Sequence, residues 1–591
     1  MEIQDRLNRI REEMAKAGVD AYVIPSSDPH MSEYLPDRYK CIAWASGFTG
    51  SAGTLVITKD FAGLWTDARY FVQGNAQLKD TGYELVKLKV QGAAEYAQWL
   101  GSKLSKGANV AFDGMLASVQ VAMSLKDHLE PLGITIDGNC DLISKVWTNR
   151  PELPKAKMFL ISKEWSGQTA KERVELVRKD LANLHADGHL ISTLDDTAWL
   201  LNIRGRDVPC NPVVLSFVYV SAERAILFVD TDKVQEQDLH TLNEQDIEVA
   251  PYDSLEDFLS KLEVNSVCLD PKRTCYSIFE QLAEKATVIE AMNPSTMLKA
   301  IKNEVEVGHM RHTMVKDGVA LTRFFKWLEE NVQGGALNEI SIADKLQSLR
   351  EAQEGFVDIS FGTIAAYKDH AALPHYSATK EAYYDLETKG MLLVDSGGQY
   401  TSGTTDITRV VPLGETTEEE KEDYTLVLKA MIDGTLAVFP EGTRGYQIDA
   451  ITRQSLWQAQ KNYGHGTGHG IGFFLNVHEG PHVFNMSNVD IPVKAGMISS
   501  IEPGIYREGK YGIRIENLVL CKPIGENEYG KFQDFETLTL CYIDTSLVKK
   551  ELLSPMHITW LNKYHEFVYS SLKDDLEPAE REWLKQKTQA I

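Results

Sequence analysis

Three histidines, His465, His469 and His478, fall within the run HGTGHGIGFFLNVHEGPH at 465–482, among five glycines. Glu502 in SSIEPGIY and Glu516 in YGIRIENLVL follow it, and Asp395 and Asp406 in LLVDSGGQYTSGTTDITR precede it. Asp395 ends an apolar run, where desolvating a lone carboxylate costs several kcal/mol unless it is hydrogen-bonded, paired or metal-bound. The Gly/Thr-rich stretch between the two aspartates lets a second strand return beside the first, so both carboxylates can face one point. By itself such a pair also fits turn-capping aspartates. Three histidines in fourteen residues, with two glutamates after them, shift the balance to a site. Four carboxylates cannot all ionise at one point without cations, and oxygen-rich donors with an imidazole favour Mn2+, Co2+ or Fe2+ over a structural, thiolate-bound Zn2+. Two metal ions about 3.5–4 Å apart commonly clamp a water for hydrolysis. Metal-assisted hydrolysis is the chemistry these residue types imply.

One pattern in the run misleads. His478-Glu479-Gly480-Pro481-His482 fits H-E-x-x-H, whose zinc chemistry needs a helix, and Gly480 with Pro481 breaks a helix at the required turn. His465 and His469 are likewise four apart, but Gly466, Gly468 and Gly470 oppose a helix there. The geometry is therefore extended or looped, with glycines that let backbone approach a ligand closely. Ile498–Ile501 predicts a strand and Pro503-Gly504 a turn. YGIRIENLVL predicts one strand, in which the period of two puts Arg514 on the face of Glu516. An ordinary strand ion pair explains that placement equally well. His482 is read as incidental.

The elements that must position these residues belong to an α/β chain. With 591 residues, 43% hydrophobic and 25% charged, the chain is globular and long enough for about three domains. A net charge of −24 argues against nucleic acid and anionic membranes as partners. No stretch approaches about 18 uninterrupted apolar residues, so nothing spans a membrane. The first residues, MEIQDRLNRIREEMAKAG, form an amphipathic helix and lack the features of a signal peptide. Seven scattered cysteines without a CxxC pair argue against a disulfide framework and for a reducing cytoplasm.

DAYVIP, TLVIT, GLWTD and ANVAFDG predict strands, and EYAQWLGSKLS a helix. Pro151 and Pro154 mark a first linker. From about residue 157, AKERVELVRKDLANLHADGHLISTLDDTAWLLNIRG repeats the opening order of helix, turn, strand and polar loop. Asp20 then corresponds to Asp187 and Asp67 to Asp230, which predicts a duplicated α/β domain. A second junction lies near AMNPSTMLKAIKN. A long helix follows from about Glu304 to Asn331 with a core-facing stripe through Met314, Leu321, Phe325 and Leu328. Thr416 or Thr417 caps another helix, whose acidic first turn suits the helix dipole. The tail predicts two helices split near Pro578. The domains expected are therefore 1–155, 156–303 and 304–591.

The motifs DSGGQYTSGTTDITR, HGTGHGIGFFLNVHEGP, EPGIY and GIRIEN resemble, in order and spacing, those of the pita-bread metallopeptidases, and among them the three-domain aminopeptidase P group. The resemblance extends to SEYLPDRYKCIAWASGFTGSAGTL, WTDARYFVQ, KAIKNEVE and WLNKYHEFV, nearly the whole chain. It implies two creatinase-like N-terminal α/β domains before a pita-bread catalytic domain with a helical tail. The implied metal ligands are Asp395, Asp406, His469, Glu502 and Glu516, with Asp406 and Glu516 bridging two ions. Mn2+ is the implied metal, with Co2+ or Zn2+ as alternatives. The resemblance further implies that a bridging hydroxide attacks the Xaa-Pro bond and releases the residue before a proline at position two. Glu502 shuttles the proton, His375 steadies the tetrahedral intermediate, His465 and His478 line the pocket, and Arg514 stands near the bridging carboxylate. His370 competes with His375 for that role, and HAALP is bulkier than the family's usual residues. A cytosolic homodimer is implied as well. Two alternatives stay open: a prolidase, which has the same five ligands but a single N-terminal domain, and a relative that binds without catalysing.

Overall fold

The computed structural model describes residues 2–89, 94–380 and 382–591. It divides into two compact units, Met1–Thr296 and Met297–Ile591.

The first unit holds two six-stranded sheets of one design. One runs in the order Glu84–Lys87, Ala62–Thr66, Thr54–Thr58, Ala21–Pro25, Asn109–Phe112 and Thr135–Asp137. The other runs Glu248–Pro251, Ala225–Val229, Ser216–Ser221, Gly188–Ile191, Ser266–Leu269 and Thr287–Glu290. In both, the two pairings among the second, third and fourth strands are antiparallel and the other three are parallel. The corresponding carboxylates do corresponding work. Asp20 accepts from the Asn109 N–H at 2.8 Å, and Asp187 accepts from Asn265 and Ser266 at 2.9 and 3.0 Å. Asp67 and Asp230 each cap the short 3-10 helix that follows a strand. The strand Ala62–Thr66 is buried at every position, so neither of its faces meets solvent.

One expectation fails here. The polar loop expected after Gly188–Ile191 is a helix, Leu194–Leu201, buried at nearly every position. Leu194, Ala198 and Leu201 recur at helical spacing, Asp195 and Asp196 suit its N-terminus, and Asn202 closes it at φ 55°.

In the second unit the helix Glu304–Asn331 has the expected bounds, fixed at its start by a capping box between Asn303 and Glu306. Met314, Leu321, Phe324, Phe325 and Leu328 on it are buried. A three-stranded antiparallel sheet is built from Ile364–Tyr367, Met391–Ser396 and Ile407–Pro412. A six-stranded sheet runs Phe439–Pro440, Gly530–Thr537, Asn517–Asn527, Ile498–Ile501, Gly468–Gly470 and Glu479–Phe484. Thr417 caps the helix Glu418–Thr435, and the tail forms Pro555–Leu572 and Pro578–Lys587. No described helix is long and apolar enough to cross a membrane. Cys41, Cys140, Cys268, Cys275, Cys521 and Cys541 are buried free thiols.

Two local expectations near the site are corrected. Gly504 opens a strand, Gly504–Arg507, paired with Tyr511–Arg514, so Pro503-Gly504 is a passage between sheets and not a turn. YGIRIENLVL is two strands: Tyr511–Arg514 belongs to that hairpin and Asn517–Asn527 to the large sheet. Ile515 and Glu516 form the step between them.

Candidate metal centre

Strand pairing brings the first two carboxylates together. Asp395 faces Thr408 and Ser396 faces Ile407 across Met391–Ser396 and Ile407–Pro412, which leaves Asp406 at the start of the returning strand. Gly397 makes the return tight: a Cβ there would lie 1.9 Å from the Thr405 carbonyl oxygen. The histidine run is strand at Gly468–Gly470 and looped on either side, as the glycines predicted, but their use differs from the expectation. A Cβ on Gly468 would lie 1.9 Å from the Ser500 carbonyl, and one on Gly470 2.2 Å from the Glu479 carbonyl. At these two positions glycine permits backbone to approach backbone within the sheet, not a ligand.

Asp406, His469 and Glu516 offer ligand atoms that all lie within 4.8 Å of one another. His469 Nε2 stands 3.5 Å from Asp406 Oδ2 and 3.3 Å from Glu502 Oε1. Its Nδ1 meets the Gly470 carbonyl at 3.0 Å, and donation there fixes the ring with Nε2 turned toward the carboxylates. Asp395 joins through Arg514, whose guanidinium donates to Asp395 Oδ2 at 2.5 Å and passes 3.9 Å from Glu502 Oε2. Asp406, His469 and Glu516 thus form one group, with Glu502 against His469 and Asp395 linked through Arg514. The ring of His478 lies 4.3 Å from that of His469. His465 contacts Tyr506, with Nε2 to hydroxyl 2.8 Å.

The electrostatics show what this donor set lacks. Burial, reinforced by the neighbouring carboxylates, pushes Asp406 and Glu516 well above the usual carboxylate range. Burial also raises Asp395, against the pull of Arg514. For Glu502 burial is outweighed by the hydrogen bond and charge of His469, which hold it down to about 2. His469 is raised to about 9 because Glu502 overcomes its burial. Burial lowers His465 to about 4, so it is a neutral imidazole. Asp395 Oδ1 and Glu516 Oε1 are buried oxygens with no hydrogen-bond partner among the described residues. Buried acceptors of this kind, crowded by like charge, fit divalent cations.

Several supporting residues escaped the sequence reading. Thr408 donates to Glu516 Oε2 at 2.7 Å and accepts from Arg514 at 3.2 Å. Arg514 thus acts on Asp395 directly and on Glu516 through Thr408, which differs from the strand ion pair the period of two suggested. Tyr506 accepts from Arg514 at 2.7 Å and links it to His465. Arg409, fully buried, donates to the Glu516 carbonyl at 2.5 Å, to Asn517 Oδ1 at 2.8 Å and to Cys541 and Tyr542. It pins the step between sheets that carries Glu516, and its place in DITR was its only sequence signal. Ser500 donates to Glu502 at 3.2 Å and accepts from the His469 N–H at 3.0 Å. HEGPH is no zinc helix: Glu479–Phe484 is a strand. His482 is buried in it, pushed down to about 3, and bound to Ser499 at 2.9 Å. Glu479 is clamped by two buried lysines, Lys302 and, at 3.6 Å, Lys299. His370 lies against Glu339, at 3.0 Å.

The sequence profile of metallopeptidase family M24 matches residues 308–523, and that of the C-terminal region of this peptidase matches 531–591. Two creatinase/prolidase N-terminal domain profiles match 6–137 and 149–306. A protein of Aspergillus flavus described as "Probable Xaa-Pro aminopeptidase P" is 36% identical over 99% of this chain and 92% of its own. One from Tuber melanosporum with the same description is 36% identical over 99% of both chains. Among solved structures, the X-prolyl aminopeptidase of Caenorhabditis elegans, described as a cytosolic enzyme with a di-nuclear active site, superposes with a TM-score of 0.94 at 33% identity over 100% of both chains. The Xaa-Pro dipeptidase of Bacillus anthracis shares the fold over 63% of this chain and 98% of its own, with a TM-score of 0.51 and 24% identity.

Proposed function

The chain belongs to the Xaa-Pro aminopeptidase P family of M24 metallopeptidases, and from that premise we propose that it releases the N-terminal residue from peptides with proline at position two. The observation that carries the reading is the grouping of Asp406, Glu516 and an Nδ1-anchored His469, flanked by Glu502 and by the Arg514-bound Asp395, with buried carboxylate oxygens on Asp395 and Glu516 left to accept. Asp395, Asp406, His469, Glu502 and Glu516 would hold two divalent ions, Mn2+ first, with Co2+ or Zn2+ as alternatives. Such ions supply a water of pKa lowered to about 7 and polarise a carbonyl.

The chain's own residues do the rest. Glu502 is the least buried of the four carboxylates, with 17% of its side chain exposed, and is held by Ser500, so it can take a proton and return it to the departing proline nitrogen. His375, on the loop before Asp395, steadies the oxyanion that develops on the scissile carbonyl. His465, neutral and fixed by Tyr506, lines the pocket with His478. Proline carries no N–H, so recognition rests on its ring.

Hydrolysis of a short X-Pro-X peptide should require added Mn2+ after chelation, and X-Pro dipeptides should be poorer substrates. Preferred cleavage of dipeptides would point to a prolidase, and absence of about two bound ions after Mn2+ loading would point to a non-catalytic relative. His375→Ala should lower kcat by about 100- to 1000-fold with metal retained, as loss of an oxyanion donor does. An unchanged kcat would remove His375 from the site.

A further inference from the structure

His375 sits in a long irregular stretch between the 3-10 helix Lys368–Ala372 and the strand Met391–Ser396. Irregular backbone holds a catalytic group within a fraction of an ångström only where something outside it fixes its path. One side chain meets that need. Glu339, the first residue of the helix Glu339–Glu351, has 0% of its surface exposed. Its Oε1 accepts from the Tyr367 N–H at 2.8 Å, and its Oε2 accepts from the Tyr376 hydroxyl at 2.7 Å and the Tyr384 N–H at 2.8 Å. His370 Nδ1 lies 3.0 Å from both oxygens. The His370 ring is stacked between Tyr384, at 3.8 Å, and Tyr376, at 4.3 Å. All four donors come from residues 367–384, the segment that contains His375, and one of them is its immediate neighbour.

A carboxylate has about four lone-pair sites, and here four donors fill them, so Glu339 has no capacity left to act on substrate or water. A neutral amide could not replace it, because its NH2 would face donors. Within the same segment, the Pro374 carbonyl accepts from Arg514 at 3.4 Å. The strand Tyr511–Arg514 passes so near that a Cβ on Gly512 would lie 1.7 Å from the Ala371 carbonyl. The segment is thus held at two sets of contacts, by Glu339 and by the strand that carries Arg514.

We propose that Glu339 is a positioning residue for the reaction, setting the path of residues 367–380 and through it the placement of His375. This rests on the role assigned to His375 above. The bland alternative is that Glu339 supports the fold alone, and a double-mutant cycle separates the two.

Kinetics on an X-Pro-X peptide at saturating Mn2+ should be compared for E339Q, H375A and the double variant, with bound metal and thermal unfolding measured on each. E339Q should keep its two ions and lower kcat about 10- to 100-fold, the scale of a misplaced catalytic group. In the H375A background the same change should cost nothing further. Losses that multiply, or a folded E339Q with wild-type kcat, would overturn the proposal. If H375A alone leaves kcat intact, the role given to His375 fails, and the proposal falls with it in a recognisably different way. Should E339Q not fold, Tyr376→Phe removes one donor and leaves three. It should lower kcat several-fold in wild type and not at all beside H375A; a Tyr376→Phe loss that persists beside H375A would overturn the proposal.

Discussion

Asp406→Ala and Glu516→Ala should each lower hydrolysis of an X-Pro-X peptide by at least about 1000-fold while the unit of residues 1–296 stays folded. Both carboxylates lie within 4.8 Å of the His469 ligand atom, and both are pushed well above their ordinary range by burial and by the neighbouring carboxylates. The same crowding gives the prediction a second, independent readout. A carboxylate whose pKa is raised on folding binds protons more tightly in the folded than in the unfolded chain. Metal-free stability therefore falls as pH rises above the unfolded value of about 4. At neutral pH an isosteric Asp406→Asn removes one source of that cost, so the metal-free variant should unfold at a higher temperature than metal-free wild type. Added Mn2+ should then raise the wild-type transition and move the variant little, because binding to the native state is what stabilises it. A variant that unfolds earlier than wild type in chelator, or that is stabilised by Mn2+ as strongly, would contradict the site. Site residues that destabilise the empty fold are the expected signature of function held at the expense of stability.

What the sequence disclosed depended on whether a property was local. The helix Glu304–Asn331 was legible to its ends because its cap and apolar stripe lie within it. The return of Asp406 toward Asp395 was legible because a short Gly/Thr-rich connection between two apolar runs permits little else. The period-two argument for Arg514 and Glu516 failed for a physical reason. Between them the chain leaves the hairpin of Gly504–Arg507 and Tyr511–Arg514 and enters the large sheet, so the two side chains do not share a strand. The glycines around His469 were rightly read as marking close approach, but sequence cannot say whether the neighbour is a ligand or another strand, and for Gly468 it is the Ser500 carbonyl. Tyr506, Arg409 and Glu339 stayed hidden because each is defined by partners far along the chain: Arg409 reaches Cys541 and Tyr542, and Glu339 reaches Tyr384. Leu194–Leu201 was missed because its polar start, STLDD, looks like loop until the apolar spacing after it is weighed.

Replacing Arg514 should do nearly as much harm as removing a ligand, although Arg514 is placed to touch no metal. Its guanidinium reaches Asp395 at 2.5 Å, Tyr506 at 2.7 Å, Thr408 at 3.2 Å and the Pro374 carbonyl at 3.4 Å. It therefore ties together the strand of one aspartate, the hydroxyl that fixes His465, the threonine that holds Glu516 and the segment that bears His375. Only 3% of its side chain is exposed, against 10% for Asp395, so removing one partner leaves a buried charge uncompensated. Arg514→Met should cost about 3–5 kcal/mol of stability in the metal-free protein, the range for a broken buried pair. It should weaken Mn2+ binding about 10- to 100-fold, as loss of an outer partner to a ligand does, and lower kcat further by freeing His465 and His375. Lysine should not rescue it, because a point charge on a flexible stem cannot serve several acceptors arranged around a planar fork. Titrating activity against Mn2+ separates the two effects: excess metal should recover the part due to weakened binding and leave a residual loss in kcat. Full recovery at high Mn2+ would show that Arg514 serves the ligand alone. An Arg514→Lys variant with wild-type kcat would show that its charge, not its four directed bonds, is what the site requires.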